Sequence, residues 1–183
     1  MKDEVDSRSP ESQKSKIKKR AIIFGIILPA FVLAYLLIPH HRPIEFPPSI
    51  LQLRLTEELR GKQAQEILDE MHRKSLAPDE SAIGVYFCTD GSAKLYISRY
   101  NSPANAEQQI EAMAHRIQTG DGVFTDYREF LEQNKKIYSC NGLGQKHYFF
   151  LFDNTIYWWS VDVQLAQSTL KELIRFVDLK KQP

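Results

Sequence analysis

Residues Ala21 to Ile38 (AIIFGIILPAFVLAYLLI) are eighteen uncharged, largely apolar positions, preceded by five basic ones: Lys14, Lys16, Lys18, Lys19 and Arg20. At about 1.5 Å per residue such a run makes about 27 Å of helix, close to the thickness of a hydrocarbon core. No acid lies between Ser12 and Arg20, and the far flank offers only His40, His41 and Arg42. The positive-inside rule then predicts an N-terminus in the cytoplasm and everything after about residue 40 on the other side. A cleavable secretory signal opens the same way, and Val32-Leu33-Ala34 resembles a weak cleavage site. Cutting there would strand Tyr35-Leu36-Leu37-Ile38 at the new end, so an uncleaved signal anchor fits better. Without a cysteine nearby, lipid modification of an N-terminal cysteine is excluded. Pro29 predicts a tolerated kink. The small pairs Ala21/Gly25 and Ala30/Ala34 have the spacing of helix-helix contacts but sit on different faces.

The anchor divides the chain. Residues 1–20 form a polar, basic tail that cannot bury a core and is expected to stay unfolded in the cytoplasm. Residues 21–38 form the transmembrane signal anchor. Pro39, Pro43, Pro47 and Pro48 make residues 39–49 a stiff stalk. Residues 50–180 suffice for one extracytoplasmic domain. From Ile44 to Pro183 there are 16 Lys/Arg against 19 Asp/Glu. With no basic stripe to neutralise phosphates, nucleic-acid binding is not expected; the tail's charges suit anionic lipid head groups instead. No Asn-x-Ser/Thr acceptor occurs, in keeping with a bacterial cell envelope and its inner membrane.

Hydrophobic period supplies the elements. Leu51, Leu53 and Leu55 alternate as in a short strand; Ala64, Ile67, Leu68 and Met71 line one face of a helix over 61–74. Strands at 83–88 and 93–100 flank Asp90-Gly91, a hairpin signal. Asn101-Ser102-Pro103 starts a helix with Ala106, Ile110, Met113 and Ile117 on its buried face. Phe124, Tyr127, Phe130 and Leu131 suggest a packed loop or short helix over 121–134. Strands follow at 136–141, 145–152 and 155–162, then a helix capped by Asp162 carrying Ala166, Leu170, Leu173, Ile174 and Val177. The expected fold class is α+β: one transmembrane helix, then a domain whose antiparallel sheet is packed by about three helices. Hairpin-then-helix occurs twice, at 83–118 and 145–178, hinting at a weak internal duplication.

The densest constellation is the hairpin Tyr148-Phe149-Phe150-Leu151-Phe152 and Ile156-Tyr157-Trp158-Trp159. Alternation puts Tyr148, Phe150, Tyr157 and Trp159 on one face and Phe149, Leu151, Ile156 and Trp158 on the other. Either the pair is a central one buried on both sides, or the face of Tyr148, Phe150, Tyr157 and Trp159 stays open to bind a partner. Cys88 and Cys140 could form one disulfide in an oxidising compartment, or remain buried thiols. Gly142 and Gly144 are turn residues, since a phosphate cradle must run into a helix and a strand follows here. Among the histidines, His40 and His41 read as interfacial, and His72 and His115 as helix-surface residues. His147 is within reach of Cys140 across the turn, but nothing supplies the group that would orient a Cys-His nucleophile. Glu129 and Glu132 read as a solvated face. No metal or cofactor motif appears. The sequence therefore predicts a non-catalytic binding or scaffold domain, with the lipid bilayer and an envelope protein as partners. Alternatives are an envelope enzyme using Cys140 and His147, or a small-ligand-binding accessory subunit.

Overall fold

Eight strands pair side by side in one antiparallel sheet. The computed structural model describes residues 43–72, 78–120 and 122–180, the side chains of Met71 and His72 excepted. The elements run β1 (Ser49–Ile50), β2 (Leu53–Arg60), α1 (Gly61–His72), β3 (Glu80–Cys88), β4 (Gly91–Arg99), α2 (Pro103–Gln118), β5 (Thr125–Glu132), β6 (Lys135–Gly142), β7 (Gln145–Phe152), β8 (Thr155–Asp162) and α3 (Ala166–Leu179). Sheet order is β1-β2-β3-β4-β8-β7-β6-β5, so the four-strand meander β5–β8 folds back and closes its last strand onto β4.

The expected α+β class with a transmembrane helix does not hold for the described residues: they are mostly sheet, with eight strands instead of six, and none of their helices is long and apolar enough to cross a membrane. The tail and the 21–38 segment lie outside the described residues. Residues 44–49, expected in the stalk, belong to the domain: Ile44 and Phe46 are buried, and Pro47 O accepts a hydrogen bond from Tyr86 Oη at 3.0 Å. Residues 125–132 are a strand, not a packed loop or short helix, with one extra residue inserted at a bulge between Thr125 and Arg128, where Asp126 has φ +52°. Tyr127 packs in α2's layer and Phe130 in α3's, so apolar residues on both faces give Tyr127, Phe130 and Leu131 a helix-like spacing within extended chain. Strand β2 likewise runs on through Glu57, Glu58 and Arg60, while Leu51 sits in a turn at φ +54°.

Burial on both faces follows from the alternation of β7 and β8. On one face α3 lays Leu170, Leu173, Ile174 and Val177 over Leu95, Ile97, Phe150, Trp159 and Val161. On the other, α2 lays Ala106, Ile110 and Ala114 over Tyr138, Cys140, Phe149, Ile156 and Trp158. Helix α2 starts where the sequence indicates, Ser102 accepting from Asn105 N–H at 3.2 Å ahead of Pro103. Asp162 does not cap α3; a short 3-10 turn, Val163–Leu165, intervenes. Its carboxylate accepts instead from Gln145 Nε2 (2.9 Å) and Ser92 N–H (2.7 Å), which holds its pKa below the usual range and ties the β3–β4 turn to β8. Helix α1 shares α2's face, where Gln65 accepts from Ser81 Oγ at 2.7 Å. Since α2 and α3 cover opposite faces, the two hairpin-helix units are not related by the twofold that pairs β4 with β8, and no structural duplication exists.

The segment 44–50 reaches its place only because β3 lacks a side chain at Gly84, where an added Cβ would lie 2.8 Å from Phe46 Cδ1. Gly84→Val should therefore destabilise the protein by about 1–3 kcal/mol in urea unfolding. An unchanged midpoint would mean that Phe46 does not pack there.

Candidate functional site

The aromatic hairpin has the register its alternation implies: Tyr148 faces Trp159, Phe149 faces Trp158, Phe150 faces Tyr157 and Phe152 faces Thr155. The four residues expected on an open face are not on one. Phe150 and Trp159 are fully enclosed beneath α3, Tyr148 is buried, and Tyr157 is half-buried with its ring stacked on Phe150 at 5.3 Å. Trp159 Nε1 donates to Thr169 Oγ1 on α3 at 3.1 Å, so even its polar tip is satisfied inside. Burial pushes the Tyr157 hydroxyl up to about 12.

On the opposite face one cross-strand row runs Glu129, Tyr138, Phe149, Trp158, Tyr96, Ile83 from β5 to β3. Three of its rings form a stack, Tyr138 on Phe149 at 4.9 Å and Phe149 on Trp158 at 4.8 Å. Such cross-strand pairs each add about 0.5–1.5 kcal/mol beyond area burial. Phe124 closes the cluster, edge-on to His147 at 5.0 Å.

The neighbouring row brings Cys140, His147 and Ser160 directly opposite one another. It looks like a nucleophile constellation, yet its hydrogen bonds preclude one. The indole N–H of Trp158 can only donate, so His147 Nδ1, at 3.1 Å, is the acceptor and the ring proton is on Nε2. Nε2–H donates to Gly142 O at 2.9 Å, leaving no nitrogen for the thiol. Ser160 Oγ donates to Gln145 Oε1. Burial pushes the Cys140 thiol up to about 11, against the thiolate that nucleophilic chemistry needs.

The disulfide is also excluded. Cys88 is in β3 and Cys140 in β6, four strand spacings apart, about 19 Å in a sheet with strands about 4.8 Å apart. They also face opposite sides of the sheet, and both are free. His115 is exposed on α2, His72 ends α1, and His40 and His41 lie outside the described residues. Among the described residues no three His, Cys, Asp or Glu side chains gather to hold a metal. Gly142 and Gly144 flank the β6–β7 turn, where the Phe124 ring occupies the space a side chain on Gly142 would need.

What the structure leaves open is one end of the sheet. The β1–β2, β3–β4 and β6–β7 turns, the end of β8 and the start of β5 all lie there. Of the seven exposed large apolar residues among the described residues, five belong to this end: Leu51, Phe87, Val123, Leu143 and Val163. Leu51 and Leu143 have left-handed backbones, φ +54° and +53°, which asparagine, aspartate or glycine adopt more cheaply. The turns at the other end carry Gln133-Asn134 and Asp153-Asn154. Exposed leucines held at about 1 kcal/mol of local strain therefore mark the turn end. The sequence signal for this feature is the leucine inside the turn Gly142-Leu143-Gly144.

His147 carries a pH signature. Burial lowers its pKa below the unfolded value, outweighing the opposing hydrogen bond to Gly142. Its neutral form is therefore favoured in the fold, and the stability it contributes is complete above about pH 6.5 and declines as pH falls below that. Urea unfolding from pH 7.5 to 5 should show a loss of stability in the native chain that His147→Gln reduces. Parallel pH profiles for the two proteins would refute the buried neutral imidazole. Comparison with protein-family models, curated proteins and solved structures finds no match, so no relative assigns this chain a family or an activity.

Proposed function

We propose that this chain is a non-catalytic binding module of a bacterial cell envelope, tethered through residues 21–38, whose turn end contacts an envelope protein. The observation that carries this reading is the pair of strained, exposed leucines at turns whose geometry favours polar residues or glycine. A leucine there costs backbone energy and exposes apolar area, and it is repaid when a partner covers it. The occupied ring nitrogens of His147 and the raised thiol pKa of Cys140 argue against the thiol-enzyme alternative. Placement outside the cytoplasm rests on the basic cluster ahead of the apolar run.

One experiment tests partner and placement together. In a Cys88→Ser background of the full-length chain, Leu143→Cys is treated with a membrane-impermeant maleimide crosslinker in intact spheroplasts. Modification and a discrete crosslinked protein are expected. Protection from the reagent until lysis would overturn the placement, and modification without any discrete product would overturn the binding surface. The companion Leu143→Asn should raise stability by about 1 kcal/mol by relieving strain and yet weaken partner capture.

A further inference from the structure

The sheet has two edges of unequal kind. β1, at one edge, is two residues long; β5, at the other, is eight and among the described residues pairs only with β6. An edge strand of that length turns the N–H and C=O of alternate residues outward with no strand to receive them. The bulge disturbs only the stretch between Thr125 and Arg128; Arg128 to Glu132 is regular, five residues centred on Phe130. Within it, Arg128, Phe130 and Glu132 share α3's face, and Glu129 and Leu131 share α2's.

We propose that β5 pairs with β5 of a second copy, antiparallel, about a twofold axis through Phe130. An antiparallel pair related by a twofold perpendicular to the sheet must be centred on a residue, because opposed residues have to project to the same face. Centring on Phe130 sets Arg128 opposite Glu132 of the other copy, twice, and Phe130 opposite its own counterpart. Neither Arg128 nor Glu132 has an ion-pair partner among the described residues, whereas Glu129 is held by Lys136 at 2.8 Å. Moving the axis to Glu129 opposes two glutamates, and moving it to Arg128 opposes two arginines; both are unfavourable. Moving it to Leu131 removes both ion pairs and brings in Gln133, which has left the strand at φ +49°. The charges that shield this edge from foreign strands are thus self-complementary in one register. Leu131, 76% exposed, would be covered by the second copy. About five residues a side make a small interface, so the dimer is expected to be weak.

The test is charge exchange in the full-length chain, in detergent micelles, with self-association followed by sedimentation from micromolar to submillimolar concentration. Arg128→Glu and Glu132→Arg should each weaken dimerisation by about tenfold or more, since each turns two attractive pairs repulsive. The double variant R128E/E132R should restore it. A monomeric native chain across that range would overturn the proposal. So would equal dimerisation of all four proteins, which would place the contact elsewhere, for instance in residues 21–38, or single losses that the double variant fails to repair. Both side chains are at the surface edge, and unchanged unfolding midpoints would exclude misfolding as the cause of any loss.

Discussion

The pairing of β7 with β8 sets the rest of this structure. Each strand carries large rings at successive positions, so each must send apolar area to both sides of the sheet. A pair like that cannot sit at an edge or under a single layer. It requires a helix on each face, and α2 and α3 supply them. Trp158 and Trp159 are the clearest expression of this constraint: neighbours in sequence, one is stacked under α2 and the other hydrogen-bonded to α3.

That constraint also limits what the interior can do chemically. His147 is enclosed by Phe124 and Trp158, and its two nitrogens are occupied by one donor and one acceptor. Cys140, opposite it, is enclosed and kept protonated. A row that reads as a reactive set is instead a satisfied polar strip within an aromatic layer. The two surfaces we propose for binding lie at the periphery, at the turn end with its strained leucines and along the edge strand β5.

Much of this was legible because the signals were local. The β3–β4 hairpin, whose two turn residues are Thr89 and Asp90 with Gly91 opening β4, the Ser102-Pro103 helix start and the β7–β8 register each depend on residues a few positions apart. The misreadings share a different cause. Strand β5 is hidden because its apolar residues sit on both faces, Tyr127 in α2's layer and Phe130 in α3's, and a bulge interrupts the alternation before them. Asp162 reads as a helix cap in the sequence because its partners, Ser92 and Gln145, are far away along the chain. Whether the face of Tyr148, Phe150, Tyr157 and Trp159 was open depended on where α3 lands, which its own amphipathic pattern does not specify. The Cys88–Cys140 bridge failed because strand order, invisible in the sequence, puts four strand spacings between them.

Both tryptophans of the chain lie in β8, one facing each layer, so quenching of their fluorescence reads out both faces at once. Acrylamide added to the native full-length chain should quench several-fold less than in the urea-unfolded chain, with emission at the blue, apolar end. A native protein in which either tryptophan is quenched as freely as in urea would show that one face of the sheet lies open, and the two-sided core described here would be wrong.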